Sequence, residues 1–322
     1  MALPVVARLA KGLFMEARIL AVLVWSTTAV TVGTALAART QAVDLRLYVL
    51  ALLAGFIGQG YTTHAINEIR DWTSGTDRHG LGGSKVVRAG LLSIGELWAV
   101  FWVSIGLVLW LGHLCAESSG PWAWFFIGIA LLSGICYSLP PIQLAYRPYL
   151  GEWLGAFPGI LTCVCGAYYV QTGALTGEPV LLGTALALQC MAIMLMFHTL
   201  DFEADRAAVP CKRTTIVHLG PAAAQRYLVA LQVGAVLALG LALRIDYRLA
   251  PLLVAGFLCL VAFQTYAPFD SPTIIRASKR VTLATIAGGL ATGIWIDPRL
   301  AFMIAVIYAA FAAHRRYGKL PR

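Results

Sequence analysis

The chain has 322 residues, 59% of them hydrophobic and only 12% charged, with a formal net charge of +9. A soluble domain carries roughly 25% charged residues, so this composition excludes a water-soluble fold. The basic excess does not point to nucleic acid, because its placement follows the apolar runs described next.

In chain order, residues 1–17 read as an interfacial N-terminal segment, with an amphipathic stretch from Pro4 to Met15. Apolar runs follow near 18–38, 47–67, 95–115, 121–139, 151–172, 179–200, 226–243 and 249–267. A Gly-rich run at 281–296 and a last one at 300–314 complete the chain. A helix needs about 20 apolar residues to cross ~30 Å of hydrocarbon. Only helices and closed barrels satisfy their own backbone in lipid, and these runs do not alternate with period two. The expected fold is all-α: a single domain over 1–322, with nine or ten transmembrane helices around a central cavity. Ala35-Leu36-Ala37 resembles a signal-cleavage site. The apolar region before it is nearer ~20 residues than the roughly 7–15 of a signal peptide, so it reads as an uncleaved anchor.

With ten crossings and a cytoplasmic N-terminus, only Arg39, Arg46, Arg244, Arg248 and Arg299 of the 24 Lys and Arg fall outside. This is the positive-inside pattern. Nine crossings would move Arg315, Arg316, Lys319 and Arg322 outside. The sequence therefore predicts a multi-pass integral membrane protein in contact with lipid, with no nucleic-acid partner and with its acidic loops in the cytoplasm. Six of the seven cysteines (Cys115, Cys136, Cys163, Cys165, Cys190 and Cys259) lie in or beside apolar runs, where cysteine packs as a small hydrophobe. Cys163-x-Cys165 lacks the second ligand pair of a zinc motif. No disulfide framework is implied.

The informative polar segments follow the second and sixth runs, at roughly 67–94 and 201–225. They hold six of the 15 acidic residues: Glu68, Asp71, Asp77, Asp201, Glu203 and Asp205. Each segment reads Asp-Arg at its second aspartate (Asp77-Arg78, Asp205-Arg206), with a lysine seven or eight residues on (Lys85, Lys212). This quasi-repeat predicts two similar half-units facing one another. Asn67 and Asp71 share a face if the second helix continues that far, and Gly75 permits a turn that brings Asp77 back. Asp201 and Asp205 are likewise one helical turn apart. Converging carboxylates repel unless a cation joins them, and an all-oxygen donor set favours Mg²⁺. Because Mg²⁺ is held by few carboxylates together with water and phosphate oxygens, two acidic clusters imply a phosphorylated ligand. Arg70, Arg78, Lys85, Arg88, Lys212 and Arg213 supply the charge that a diphosphate needs.

On these residues the chain resembles the UbiA-type superfamily of intramembrane prenyltransferases. Asn67-x-x-x-Asp71-x-x-x-x-x-Asp77 is similar to the family's first aspartate-rich motif in the spacing of dihydroxynaphthoate prenyltransferases, with Gly82-Gly83-Ser84-Lys85 downstream. Asp201-x-x-x-Asp205-Arg206-Ala207-Ala208, then Lys212-Arg213-Thr214 and Leu219-Gly220, resembles the second motif. Tyr137-Ser138-Leu139-Pro140-Pro141 through Tyr146-Arg147 resembles the loop after the fourth helix. The resemblance implies that Asn67, Asp71, Asp77, Asp201 and Asp205 hold Mg²⁺ on an isoprenyl diphosphate, the four aspartates being the catalytic set. Lys85, Lys212, Arg213, Arg78, Arg147 and Tyr137 would bind the substrate. It also implies that the prenyl group passes to an aromatic, quinone-precursor-like acceptor in the membrane. Glu68 replaces an aspartate, Phe197-His198 stands where relatives carry asparagine, and Val209-Pro210-Cys211 interrupts the basic block.

Several readings stay open at this stage. His198 and His64 read either as site residues or as helix-end histidines bonded to backbone or water, since no neighbour in sequence fixes their tautomers. Tyr137 and Tyr146 read as cavity caps or as interfacial tyrosines. Gly155-x-x-x-Gly159 and Gly289-x-x-x-Gly293 read as close helix contacts, and the tryptophans between 98 and 124 as lipid-facing or interfacial. A terpene cyclase of the same superfamily would share the ionisation and lack the acceptor. A transporter is a third reading, although its ionisable residues would sit near the midplane and not at span ends.

Overall fold

The structure is a computed structural model that describes residues 4–79 and 83–318, without the side chains of Arg78 and His79. Among the described residues every regular element is helical. Seven segments are long and apolar enough to cross a membrane: α1 (Val5–Ala37), α2 (Leu45–Ser74), α3 (Ile94–Ser119), then Gly151–Thr172, Gly177–Leu200, Pro221–Ala242 and Tyr247–Thr265. With α4 (Ala123–Ser138) placed between α3 and Gly151, these last four are α5 to α8. Two more helices, α9 (Ser271–Ile296) and α10 (Phe302–Tyr317), end the chain.

Length and composition thus give seven spans where the apolar runs predicted nine or ten. The difference lies in three helices. α4 and α10 have 16 residues each, about 24 Å of helix against ~30 Å of hydrocarbon. α9 starts ten residues before the run at 281–296, because Pro272 opens it and Arg276, Lys279 and Arg280 continue it as good helix formers.

Local chemistry sets the ends. Asp44 caps α2 through the amides of Arg46 and Leu47, and Ser93 forms a reciprocal capping box with Glu96 at α3. α1 breaks at Ala17–Arg18, where Arg18 is left-handed with φ +44°. Around the bundle α2, α3, α4, α5, α6, α7, α8 and α9 pack each on the next, and α1 runs between α5 and α9. In lipid this packing relies on small residues that let backbones approach. A Cβ at Gly289 would meet Thr28 Cγ2 at 2.6 Å, and one at Gly293 would meet Thr31 Cγ2 at 2.9 Å, so both glycines seat α9 on α1. Gly155 and Gly159 do the same for α5 against Tyr137 and Ser133 of α4. Trp102, Trp110 and Trp122 are exposed, as lipid-facing residues are.

The second half is filled by apolar side chains from α6 to α9 and by a buried polar chain of Gln189, Gln232 and Thr285. The cavity lies off-centre, among α1 to α5. It has a volume of about 170 Å³, and Trp25, Val30, Phe126, Ile127 and Ile160 are among its apolar walls. Three helices loosen into π-helical turns beside it, at Leu23–Thr27, Gly58–Thr63 and Gly151–Ala156. Such turns shift backbone groups out of register. The Ser26 amide, freed in this way, is met by Gln59 Oε1 at 3.2 Å.

Candidate active site

α2 continues past its apolar part to Ser74, so Asn67 and Asp71 do share one face. Gly75, at φ +90°, ends the helix, and the short turn Thr76–His79 then presents Asp77. Lys85 Nζ lies 2.6 Å from Asp77 Oδ1. Gly83 makes that approach possible: its φ is +80°, and an added Cβ would stand 3.0 Å from Asp77 Oδ1. The Asn67 amide nitrogen is committed to Ser138 Oγ at 3.2 Å, which leaves its carbonyl oxygen as the atom available to a cation.

α6 ends at Leu200, and Asp201 is the joint between it and the short helix Phe202–Ala207. The Asp205 amide still bonds to the Asp201 carbonyl at 2.8 Å, so the helical register between the two aspartates survives the joint. Lys212, bonded through its amide to the Asp205 carbonyl, places Nζ 2.7 Å from Asp71 Oδ1 and 3.8 Å from Asp205 Oδ1. The two acidic segments therefore meet, although their lysine and aspartate are 141 positions apart. A backbone bond from Val209 to the Ser74 carbonyl, 2.9 Å long, joins them a second time. The Val209-Pro210-Cys211 interruption is thus a point of docking.

The site is buried and charged. Asp71, Asp77, Asp205, Lys85 and Lys212 are all buried. Burial, with Glu68 and Asp71 close by, pushes the Asp77 carboxyl up to about 7 in spite of Lys85. Burial pushes Asp205 up to about 8 against the pull of Lys212, and Asp71 and Asp201 add to the rise. Burial works against the Lys212 ammonium, yet Asp71 and Asp205 overcome it and hold its pKa well above the ordinary lysine value. Asp77 Oδ2 and Asp205 Oδ1 are buried without a hydrogen-bond partner among the described residues. Such carboxylate oxygens fit a hard divalent cation. Among the described residues no three His, Cys, Asp or Glu side chains converge into a cage.

Of the other expected residues, Tyr137 and Asp201 lie at the rim and are half-buried. Tyr137 bonds to His198. Arg213, Arg88 and Arg147 are exposed, and Arg147 bonds to the Pro141 carbonyl. Gly82 and the Arg78 side chain lie outside the described residues.

A buried network beside the first segment ties Glu68 to Arg18, Ser84 and Glu16. Glu68 accepts from Arg18 Nη2 at 3.0 Å and from the Ser84 amide at 3.1 Å, and Ser84 Oγ donates to Glu16 at 2.6 Å. Lys85, the next residue, has φ +58°, an uncommon conformation for a side chain of that size. This network holds the strained lysine loop against Asp77. In the sequence Arg18 is one of the basic residues at the start of the first apolar run. The available signal was two ionisable residues, Glu16 and Arg18, at the start of an apolar helix. Glu152 is bonded to Thr215 at 2.8 Å.

A model of the UbiA prenyltransferase family matches residues 23–286, which hold both acidic segments and every residue lining the cavity. The chain belongs to the UbiA prenyltransferase family. Glu16 and Arg18 fall outside the stretch that matches the family. The chain is 30% identical over 182 residues to 1,4-dihydroxy-2-naphthoate octaprenyltransferase of Bacillus subtilis (strain 168), and the match spans 55% of this chain and 57% of that relative. A UbiA homolog from Archaeoglobus fulgidus, solved bound to GPP and Mg²⁺, superposes with a TM-score of 0.65 at 20% identity over 87% of this chain and 99% of that one. A UbiA homolog from Aeropyrum pernix K1 gives 0.60 at 19% identity over 86% and 98%. The UbiA likeness in these structures is one of fold.

Proposed function

We propose that this chain transfers a prenyl group from an isoprenyl diphosphate to an aromatic acceptor inside the membrane, with Mg²⁺. The observation that carries the reading is Lys212, which lies between Asp71 and Asp205 and so closes two distant acidic segments into one mouth beside an apolar cavity. The structural neighbour bound to GPP and Mg²⁺ and the naphthoate octaprenyltransferase relative support the substrate classes.

Asn67, Asp71, Asp77, Asp201 and Asp205 would hold the metal, which when bound supplies positive charge to the departing diphosphate. An ammonium group has three donors, so Lys85 and Lys212 keep donors for phosphate oxygens after bonding Asp77 and Asp71. Burial makes these charges act strongly, because little water screens them. The cavity accepts the isoprenoid tail and keeps water from the allylic carbon. Thr63, one turn before Asn67 on α2, and Gly155 on α5 are among its lining residues. The basic residues gathered at the acidic end support a cytoplasmic orientation for that end and for the N-terminus.

The test is mass spectrometry of products from purified protein given several prenyl diphosphates and Mg²⁺, with and without hydroxylated aromatic acids. Prenylated acceptor and free diphosphate are expected, with both lost in Asp71→Asn and Asp205→Asn. Release of a hydrocarbon or alcohol alone, unaffected by any acceptor, would replace this reading with the cyclase.

A further inference from the structure

His198 stands on α6 three residues before Asp201, next to Phe197, which occupies the position where the family resemblance expects asparagine. The structure supplies what the sequence lacked, a partner for its ring. His198 Nε2 lies 3.1 Å from the hydroxyl of Tyr137 on α4. The other ring nitrogen, Nδ1, is buried with no hydrogen-bond partner among the described residues. A buried polar atom of that kind calls for a ligand or water.

Three placements locate the pair. The Tyr137 ring rests on Gly155, where an added Cβ would come within 2.7 Å of Tyr137 Cδ2, and Gly155 lines the cavity. Ser133, one turn earlier on the same face of α4, lines it too. Lys212 and Asp71 act electrostatically on both members of the pair, and Asp205 and Glu152 act on Tyr137. The pair therefore stands where the apolar cavity meets the charged mouth. With a prenyl tail in the cavity and its diphosphate at the mouth, C1 of the substrate lies at this same junction.

We propose that His198, its ring fixed by Tyr137, is the hydrogen-bond anchor for a ring hydroxyl of the aromatic acceptor. The inference rests on the prenyl-transfer reading and adds the acceptor's place to it. In this arrangement the Tyr137 oxygen accepts from His198 Nε2–H. Nδ1 then has a free lone pair, which takes the acceptor's O–H and turns the ring toward C1. The ligand is thus a hydroxylated aromatic ring, and the hydroxyl is its recognised group.

The experiment uses the full chain in detergent, Mg²⁺, a prenyl diphosphate carrying heavy oxygen at the bridging position, and two acceptors. One is a hydroxyaromatic that the wild type prenylates, and the other is its O-methyl ether, which cannot donate. Migration of the label to non-bridging positions reports ionisation without any acceptor. A lost hydrogen bond to a buried group predicts an acceptor KM raised about 10- to 100-fold in His198→Phe. Label migration persists in that variant. His198→Asn, whose amide oxygen still accepts, recovers most of the lost affinity. The ether binds the wild type and His198→Phe alike.

A wild-type KM for the ether equal to that for the hydroxyl compound overturns the proposal whatever the variants do. So does an unchanged acceptor KM in both variants. Loss of label migration in His198→Asn, with its unfolding temperature unchanged, places His198 at the diphosphate and also overturns the anchor. Label migration in a wild type that prenylates no hydroxyaromatic sinks the transfer reading itself, and is told apart by needing no variant.

Discussion

Asp77 and Asp205 are held up to about 7 and about 8 by burial and by neighbouring carboxylates, and that sets the pH behaviour of the site. A carboxyl raised in the folded state binds more protons there than when unfolded. These groups therefore favour the fold most below about pH 4, the ordinary carboxylate range, and favour it less as pH rises through 7 to 8. Cation binding requires the ionised form, so its pH dependence runs the other way. Mg²⁺ affinity should rise between pH 6 and 8 and binding should release protons, which calorimetry in two buffers of different ionisation heat measures. A flat affinity across that range would mean that neither carboxyl ionises there on cation binding. Ser84 tests the loop that carries Lys85. Ser84→Ala removes the 2.6 Å bond to Glu16 while leaving the backbone bond to Glu68. The expected result is a KM for the prenyl diphosphate raised roughly tenfold, in keeping with one lost hydrogen bond to a buried group, with the unfolding temperature in detergent nearly unchanged.

Helices α1 and α9 show how the elements are held. In hydrocarbon there is no gain from hiding apolar surface from water, so contact area and close approach decide the packing. Gly289 and Gly293 give α9 that approach to Thr28 and Thr31. Gly293→Leu should destabilise the bundle by about 1–3 kcal/mol, the usual range for overpacking, read as a lower unfolding temperature. Gly95→Leu is the control, since nothing lies within 4 Å of a Cβ there. The π-helical turns follow a different logic. All three border the cavity, and they carry Ser26, Gln59 and Gly155 to its wall.

Across the whole molecule the charges divide by end. Arg39 pairs with Asp246 and Glu178, Arg299 reaches the Val43 carbonyl, and Arg248 pairs with Asp246. These are residues that the sequence placed outside, and they gather at the end opposite Asp71 and Lys212. Cys211 is the exposed cysteine of the seven, at the acidic end beside Lys212. An impermeant maleimide should label Cys211 readily in inside-out vesicles and poorly in right-side-out ones, with Cys211→Ser as the blank. The reverse pattern would put the acidic mouth outside and refute the proposed orientation.

The sequence by itself determined that this is an all-helical membrane protein with two acidic segments. Composition and the period of the apolar runs are properties of the chain that lipid reads directly. It also singled out Asp71, Asp77, Asp205, Lys85 and Lys212, because carboxylates and lysines at matched places in two loops are unusual in so apolar a chain. Only the tertiary structure decided that the two segments meet, since sequence spacing carries no distance between residues 141 positions apart. It likewise decided that Arg147 and Arg213 stay exposed, that Glu16 and Arg18 brace the loop of Lys85, and that His198 has Tyr137 for a partner. These facts depend on which helix faces come together. Helix packing in a membrane is set by local fit between small residues, which leaves little trace in composition or periodicity.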